Sequence, residues 1–308
     1  MPENDPLRKI KVKKRGNALG VWFFKVFLQL FGLDGAYRLL FIVCSYYLIF
    51  DWVAVSRALA YINKRFPGCG FFKSRMHVYR LFLCQGRCLI DRYALISNRT
   101  MFDIKLCGSG ILVPLATDVN QGFILLMTHI GNWQVSITTI SELKKTVYLL
   151  MRPEDNTAIK DSLAISLEKG PVRVISPEQY LGGVIEIMNV LSKGNIVSMM
   201  GDRGYGSNAI DVDFLGEKAW FPCSAFAIAA TANCPVVVLL STKIGKRKYS
   251  VDVAKVMRPS YQKGCDKRQQ LRNWVQEYAG LLESYVKEYP YQCFLFHDIW
   301  KKEAKTEA

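Results

Sequence analysis

The stretch "GFILLMTHIGNWQVS", residues 122–136, contains the pattern that decides the fold. It begins with an uninterrupted apolar run, which is typical of a strand that is buried on both faces. Polar residues and a glycine follow at "THIGN", and "WQVSITTISELKK" then has the apolar spacing of a helix. A buried strand that leads through a short loop into a helix is the repeating unit of α/β proteins.

The same alternation continues along the chain after about residue 108. Apolar runs predict strands at "GILVPL", "GFILLMT", "TVYLLM", "PVRVIS", "NIVSMM" and "CPVVVLLS". The segments between them predict helices at "WQVSITTISELKK", "TAIKDSLAISLEK", "EQYLGGVIEIMNVLSKG" and "PCSAFAIAATAN". This order favours an α/β fold with a mixed, largely parallel sheet flanked by helices. Reactive groups in such sheets gather in loops beyond the carboxyl ends of strands.

The N-terminal part of the chain is basic and then apolar. A basic leader, "RKIKVKKRG", precedes the stretches "LGVWFFKVFLQLFGL" and "AYRLLFIVCSYYLIF", which are joined at the turn signal Asp34–Gly35. Each stretch is shorter than the about 20 apolar residues of a clean transmembrane helix. We predict a helical pair that is embedded in a membrane or lies on it, with the leader on the cytoplasmic side. A buried core hairpin is the alternative.

These patterns divide the chain into two parts. Residues 1–55 are predicted to be the basic leader and the membrane-associated helical pair, and residues 56–308 the main domain. Within the main domain, 56–107 is a helical lead-in, because its apolar residues recur three or four apart, and 108–308 is the α/β core.

Charge and cysteine content limit the possible partners. The formal net charge of +15 indicates an anionic partner, which is a nucleic acid, an anionic membrane or an acidic protein. No recognition motif or aromatic-rich basic strand supports nucleic-acid binding. The nine cysteines include no C-x-x-C pair, and "GDRGYG" lacks the G-K-[ST] ending of a phosphate loop. We therefore predict no metal site and no cofactor.

Polar loops follow several of the predicted strands. "THIGNWQ", "MRPEDN" and "GDRGYGSN" combine charged or polar residues with glycines, which let the backbone approach a ligand. A lone histidine is more often structural than catalytic, but His129 stands at the end of a buried strand, where a neutral imidazole can take a proton from a hydroxyl group. Gln134 follows at the start of the next helix and can face the same cleft.

The order and spacing of the motifs permit a closer identification. The chain resembles the bacterial lipid A biosynthesis (lauroyl/myristoyl) acyltransferases of the lysophospholipid acyltransferase superfamily, with some similarity to the branch associated with aryl-polyene pathways. The motifs are "RGNALGVWFFKVFLQLFG", "LIDRYALISNR", "THIGNWQ", "MRPEDN", "GDRGYG", "CPVVVLL" and "YPYQCFLFHDIW". The resemblance implies transfer of a fatty acyl chain from acyl carrier protein, or from acyl-CoA, to a hydroxyl of a lipid or glycolipid. It places the enzyme at the cytoplasmic face of the bacterial inner membrane.

The resemblance also implies roles for individual residues. His129 matches the catalytic base, whereas Gln134 stands where the superfamily has Asp or Glu. Asp202 matches the acidic residue of "GDRGYG", and Arg152 matches an arginine that grips an anionic group of the acceptor or donor. The other residues expected to bind substrate are Gly131, Asn132, Trp133 and Arg203.

The amide at position 134 leaves three possibilities open. Gln134 can accept the ring N–H of His129 and fix its tautomer, although it cannot neutralise the imidazolium. Alternatively, another carboxylate such as Asp202 or Asp155 approaches the ring, or the protein is a non-catalytic lipid-binding homologue. We predict that Gln134 is a working member of the site, because the surrounding polar loops are intact.

The predicted mechanism is direct acyl transfer without a covalent enzyme intermediate. "PCSAFAI" is not a G-x-S-x-G elbow, and Cys223 has no basic neighbour in its own segment. Backbone N–H groups near Gly131 and Asn132, at the start of the helix, are predicted to stabilise the charge of the tetrahedral intermediate.

Overall fold

The helices and the main sheet agree with the predicted fold class. The computed structural model describes residues 18–140, 145–151, 172–177, 183–203 and 208–301. The helices are α1 (Ala18–Phe50), α2 (Trp52–Arg65), α3 (Phe71–Ser97), α4 (Ser109–Thr117), α5 (Trp133–Ile140), α6 (Val184–Ser192), α7 (Ser224–Ala232) and α8 (Lys267–Glu288). The strands are β1 (Asp103–Cys107), β2 (Phe123–Met127), β3 (Val147–Leu150), β4 (Val172–Ile175), β5 (Ile196–Met200), β6 (Ala209–Phe214), β7 (Glu217–Pro222), β8 (Val236–Gly245) and β9 (Lys248–Met257).

The main sheet places β2 at its centre. Its seven strands have the order β1-β9-β8-β2-β5-β3-β4. Neighbouring strands are parallel except for the antiparallel pair β8 and β9. Every residue of β2 is buried, as expected for a parallel strand that is covered on both faces. The loop that follows β2 therefore opens at the middle of the sheet's carboxyl edge, beside the loop that follows β5.

Most of the predicted elements are present, and one was assigned to the wrong class. "GILVPL" was predicted as a strand but lies in α4. Leu112 and Ala116 of this helix are buried, whereas Ile111 and Val113 are exposed, and a spacing of four between buried residues is that of a helix. The sequence analysis did not predict β1, β9 or the separate antiparallel hairpin of β6 and β7. The predicted helix "TAIKDSLAISLEK" lies outside the described residues.

The two N-terminal apolar stretches form α1, which bends at Gly32. The prediction of a turn at Asp34–Gly35 is wrong, because the left-handed backbone conformation occurs at Gly32, with a φ of 65°. After the bend, α1 buries Leu33 and Leu40 and packs against α3. Its other face leaves large apolar side chains exposed, namely Phe41, Ile42, Tyr46, Ile49 and Phe50.

Part of α1 has the length and apolar composition that a membrane span requires. The segment Val26–Phe50 is 25 residues long, and it alone meets both criteria within the described part of the chain. Only 22% of its most apolar window is buried. The segment is therefore neither a fully buried core helix nor a helix free of protein contacts.

Candidate active site

The candidate site is formed by the loops that follow β2 and β5. These strands are parallel neighbours, with Met127 opposite Met200. The N–H of Gly201 donates to the carbonyl of Met127 at 2.8 Å and holds the two strand ends together. The residues that come next in each loop, His129 and Asp202, therefore meet although they are 73 positions apart in the sequence.

His129 and Asp202 form a directly hydrogen-bonded pair. The ring Nδ1 of His129 lies 2.9 Å from Asp202 Oδ1. Asp202 is fully buried, whereas 26% of the His129 side chain is exposed. One member of the pair is thus fixed inside the protein, and the other reaches the protein surface.

Asp202 is held in place by further hydrogen bonds. Its Oδ2 accepts from the Thr128 hydroxyl at 2.9 Å and from the backbone N–H of His129 at 2.5 Å. Burial by itself would raise the pKa of Asp202, but the attraction and hydrogen bonds of His129, together with the charge of Arg203, lower it to about 2. The carboxylate is therefore ionised at any pH at which the protein would act.

This geometry fixes the tautomer of the histidine. An ionised carboxylate can only accept hydrogen bonds, so the proton of the neutral ring must be on Nδ1. The other nitrogen, Nε2, then carries the lone pair, and it has no hydrogen-bond partner within the described ranges. A ring with an unoccupied basic nitrogen and a buried carboxylate behind it is suited to accept a proton.

Gln134 does not hold the ring of His129, contrary to our prediction. No hydrogen bond joins the two side chains in the described part of the molecule, and the backbone carbonyl of Gln134 accepts from Thr138 Oγ1 at 2.9 Å. The physical reason is the pairing of β2 with β5, which brings Asp202 to Nδ1. Of the alternatives, Asp202 therefore occupies the place of the orienting acid, and Asp155 lies outside the described residues.

We expect the substitution Gln134→Ala to change kcat of the catalysed reaction by less than about threefold, because this side chain makes no contact that orients the ring. Gln134→Glu should likewise give little gain, since Asp202 already supplies a carboxylate. Steady-state rates of both variants, with melting temperatures as the fold control, test this expectation. A large loss in a folded Gln134→Ala protein would show that the amide is needed.

The backbone at Gly131 and Asn132 is occupied by internal hydrogen bonds. The N–H of Gly131 donates to the carbonyl of Gln292 at 2.6 Å, and the N–H of Asn132 donates to the carbonyl of Ser241 at 3.1 Å. These two N–H groups are therefore not available to an intermediate, and the predicted stabilisation would have to come from the neighbouring N–H groups at the start of α5. Gly131 has a φ of 72°, and a Cβ at this position would lie 1.6 Å from the carbonyl oxygen of Ser241. No other residue fits here.

A C-terminal segment that the sequence analysis did not assign to the site closes one side of the loop. Ile130 and Cys293 form an antiparallel bridge, and the N–H of Phe294 donates to the carbonyl of His129 at 3.2 Å. Together with the bond from Gly131 to Gln292, these contacts hold residues 129–131 of the loop against the C-terminal segment. The segment belongs to the motif "YPYQCFLFHDIW". Its contacts with the loop are made by backbone atoms, so the types of its side chains do not predict them.

The other predicted residues differ in what the structure shows of them. Trp133 is the first residue of α5 and is half-buried. Arg203 follows Asp202, and its Nη2 donates to the carbonyl of Phe294 at 3.2 Å. Arg152 lies outside the described residues, so its role stays a prediction.

The described residues give no support to a nucleophile or to a metal. Burial raises the pKa of the Cys223 thiol, which favours its protonated and unreactive form. Within those same residues, no group of three His, Cys, Asp or Glu side chains could hold a metal ion. The paired and partly exposed imidazole of His129 is suited to general-base chemistry.

Comparison with known proteins identifies a family. The sequence model of the bacterial lipid A biosynthesis acyltransferase family matches residues 113–302, which is more than half of the 308-residue chain. The match includes His129, Asp202 and the C-terminal segment around Gln292. A search of curated proteins finds no match.

Proposed function

The chain belongs to the bacterial lipid A biosynthesis acyltransferase family, and from this premise we propose that it moves a fatty acyl chain from a thioester carrier to a hydroxyl group of a lipid or glycolipid. Membership supports an acyltransferase that acts on lipid. The observation that carries the finer proposal is the 2.9 Å contact between His129 Nδ1 and Asp202 Oδ1, because it leaves Nε2 for the acceptor.

The proposed reaction has one tetrahedral intermediate. His129 Nε2 takes the proton of the acceptor hydroxyl while the oxygen attacks the thioester carbonyl. Asp202 stabilises the imidazolium that forms, as the carboxylate does in other His–carboxylate pairs. The intermediate then collapses, the carbon–sulfur bond breaks, and the imidazolium returns the proton to the leaving thiolate. The products are an ester and a free thiol, so no redox partner or metal is required.

The charge on the intermediate needs donors other than those first predicted. The N–H groups of Trp133 and Gln134 are in the first turn of α5, where an α-helix leaves its N–H groups unsatisfied. Within the described ranges neither N–H has a hydrogen-bond partner. They stand next to Asn132 on the helix side of the loop, and we assign oxyanion stabilisation to them.

The proposed donor is an acyl carrier protein, with acyl-CoA as the alternative thioester. Not every basic stretch is available for an acidic partner. Lys64 is paired with Glu217, and Arg65 donates to the backbone carbonyls of Val286 and Lys287 in the last turn of α8. Lys243 is buried against Asp91. The turn at 246–248 between β8 and β9 is exposed and carries three basic residues, of which Lys246 and Lys248 pair with Asp34 and Asp103 at the surface. Exposed pairs of this kind are weak and can be exchanged for the carboxylates of an acidic carrier, so the turn supports its docking.

Arg152 is proposed to grip an anionic group of the acceptor or donor. The proposal rests on the family resemblance and on the sequence position of Arg152, two residues after β3 ends. β3 is parallel to β5 and β2, so it ends at the edge of the sheet where their following loops begin. A guanidinium binds a phosphate or carboxylate in a bidentate manner, which a lysine does not reproduce.

We also propose that the exposed apolar face of α1 holds the enzyme on the cytoplasmic face of the bacterial inner membrane. The family is one of membrane-associated enzymes, and the face presents Ile42 and Ile49, which are 71% and 70% exposed. Apolar area of this kind binds a bilayer when a helix lies at its surface or enters it.

The double substitution Ile42→Glu/Ile49→Glu is therefore expected to lower partition into anionic lipid vesicles by about tenfold or more, because charged side chains enter the bilayer at a high cost in free energy. Vesicle flotation measures this. Ile244→Glu is the matched control, since Ile244 is also exposed but lies in the β8–β9 turn region. Equal flotation of parent and double variant would place the membrane contact elsewhere.

The proposed activity is tested with purified protein, a labelled acyl carrier protein and the lipid that accumulates when the gene is deleted. We expect label to move into the lipid as an alkali-labile ester. Release of free fatty acid without an acceptor would instead indicate a thioesterase. Lipid binding without transfer from any acyl thioester would indicate that the protein is a non-catalytic lipid-binding homologue, the alternative suggested by Gln134 in place of an acid.

A further inference from the structure

We call residues 128–132, which carry His129, the catalytic loop. A buried ionic cluster lies behind this loop. The carboxylate of Asp91, on α3, is fully buried. It accepts hydrogen bonds from the Tyr37 hydroxyl of α1, from the Tyr249 hydroxyl of β9 at 2.5 Å and from Lys243 Nζ of β8 at 2.5 Å. A buried carboxylate is tolerated only when it is paired in this way. The proposed proton transfer does not use any of these groups.

The cluster touches the catalytic loop through Asn132. The side-chain Nδ2 of Asn132 donates to the Tyr249 hydroxyl at 3.3 Å and to the carbonyl of Cys88 at 3.2 Å. Asn132 is 2% exposed, so this amide faces the interior and not the substrate. It is the last residue before α5 and stands three positions after His129. The orientation of Asn132 therefore affects the path of the backbone between His129 and the helix.

A second path leads from the cluster to the same loop. The backbone N–H of Lys243 donates to Gln292 Oε1 at 2.8 Å, and Gln292 Nε2 donates to the carbonyl of Lys243 at 2.9 Å. The carbonyl of Gln292 in turn accepts from Gly131 at 2.6 Å. The two paths end at Asn132 and Gly131, which are adjacent in the loop. The cluster therefore contacts the segment that carries His129 at two neighbouring residues.

We propose that Tyr249, oriented by Asp91, is a positioning residue that holds the catalytic loop through Asn132. A phenol has one proton, and Asp91 accepts it, so the lone pairs of the oxygen remain to accept from Asn132. Without Asp91 the hydroxyl could rotate and donate elsewhere. Burial, followed by the proximity of Cys88 and Asp91, raises the pKa of Tyr249, which keeps this proton in place. The effect on catalysis rests on the proposed function.

A buried ion pair does not by itself imply a role in stability. Replacing such pairs by apolar groups is often neutral, and their best-attested use is to fix one geometry among several. This cluster joins α1, α3, β8 and β9 at one carboxylate and then contacts a single loop residue. Hydrogen bonds that join four elements to one loop residue are suited to fixing the orientation of that loop.

Two matched variants separate positioning from stability. Tyr249→Phe and Tyr37→Phe each remove a hydroxyl that donates to Asp91 from a buried ring, but only Tyr249 reaches Asn132. We expect Tyr249→Phe to lower kcat by about tenfold with KM unchanged, and Tyr37→Phe to change kcat by less than about twofold, at similar melting temperatures. Equal losses in the two variants, or unchanged kcat in Tyr249→Phe, would overturn the proposal.

Coupling to Asn132 is tested in the variant Asn132→Leu. If the hydroxyl acts through this amide, adding Tyr249→Phe should lower kcat by less than about twofold further. If Tyr249→Phe lowers kcat in the Asn132→Leu protein by the same factor as in the parent, the two residues act independently and the proposed coupling is contradicted. NMR shifts of the His129 ring are recorded for the same proteins, and Tyr249→Phe should move them while Tyr37→Phe does not. This second measurement decides the positioning claim even if the parent protein shows no transfer, an outcome that would refute only the proposed function.

Discussion

Replacing His129 with alanine is expected to lower kcat of acyl transfer by at least about a hundredfold, the usual contribution of a general base. The ring is held by Asp202 and is partly exposed. The Cys293 thiol lies on the segment that pairs with Ile130, but burial raises its pKa, so it does not act as a nucleophile in place of the histidine. Initial rates at saturating acceptor measure the loss. The fold should persist, because the side chain of His129 is partly exposed.

The matched control for this experiment is His77→Ala. The ring of His77 contacts the Tyr291 hydroxyl at 2.8 Å and stacks on Phe66, outside the loops that form the site. Its removal is expected to lower the melting temperature, because these contacts are lost, but to leave kcat of the folded protein close to that of the parent. Turnover by His129→Ala near that of the parent would remove His129 from the mechanism.

The substitution Asp202→Asn is expected to lower kcat by a factor on the order of a thousand or more, by analogy with the roughly ten-thousandfold loss known for the corresponding change in a serine protease. Asp202 accepts from the Thr128 hydroxyl, from the backbone N–H of His129 and from Nδ1. An amide has one accepting oxygen and two N–H donors, so at least one of these three donors would face an N–H group. The orientation that leaves only one donor without an acceptor places the amide nitrogen against Nδ1 of His129. The tautomer with the proton on Nδ1 would lose its partner.

The substitution Asp213→Asn is a suitable control, because the exposed carboxylate of Asp213 pairs with Lys218 at the protein surface.

Acid titration of the parent and of Asp202→Asn gives a second measurement. The pKa of Asp202 is lowered from 3.8 to about 2, so the stability contributed by its ionised form is fully present above pH 3.8 and is lost as the pH falls toward 2. The difference in unfolding free energy between parent and Asp202→Asn should therefore shrink over that interval. A difference that stays constant would mean that Asp202 is not held as an anion.

Much of the fold could be predicted because buried parallel strands have a clear signal. "GFILLMT" and "NIVSMM" are apolar throughout, and they form the neighbouring strands β2 and β5. The errors have physical reasons. A short apolar run such as "GILVPL" fits a strand or a buried helix equally well, and periodicity cannot separate them over so few residues. β9, "KYSVDVAKVM", mixes polar residues into its length and gave no apolar run.

The site could be predicted only in part because sequence distance is a poor guide to contacts across a sheet. The loops "THIGNWQ" and "GDRGYG" were correctly expected at strand ends. Gln134 drew attention because it stands close to His129 in the chain, whereas Asp202 depends on the pairing of β2 with β5, which the order of elements does not specify. The inward hydrogen bonds of Gly131 and Asn132 likewise depend on β8 and the C-terminal segment.

The central claim is that Asp202, and not Gln134, holds His129 with its proton on Nδ1 and its lone pair on Nε2. Nitrogen-15 NMR of the His129 ring near neutral pH measures this tautomer directly in the parent protein, in Asp202→Asn and in Gln134→Ala. We predict an Nδ1–H ring in the parent and in Gln134→Ala, and loss of that tautomer in Asp202→Asn. An Nε2–H ring in the parent, or a ring that changes in Gln134→Ala and stays unchanged in Asp202→Asn, would contradict the account.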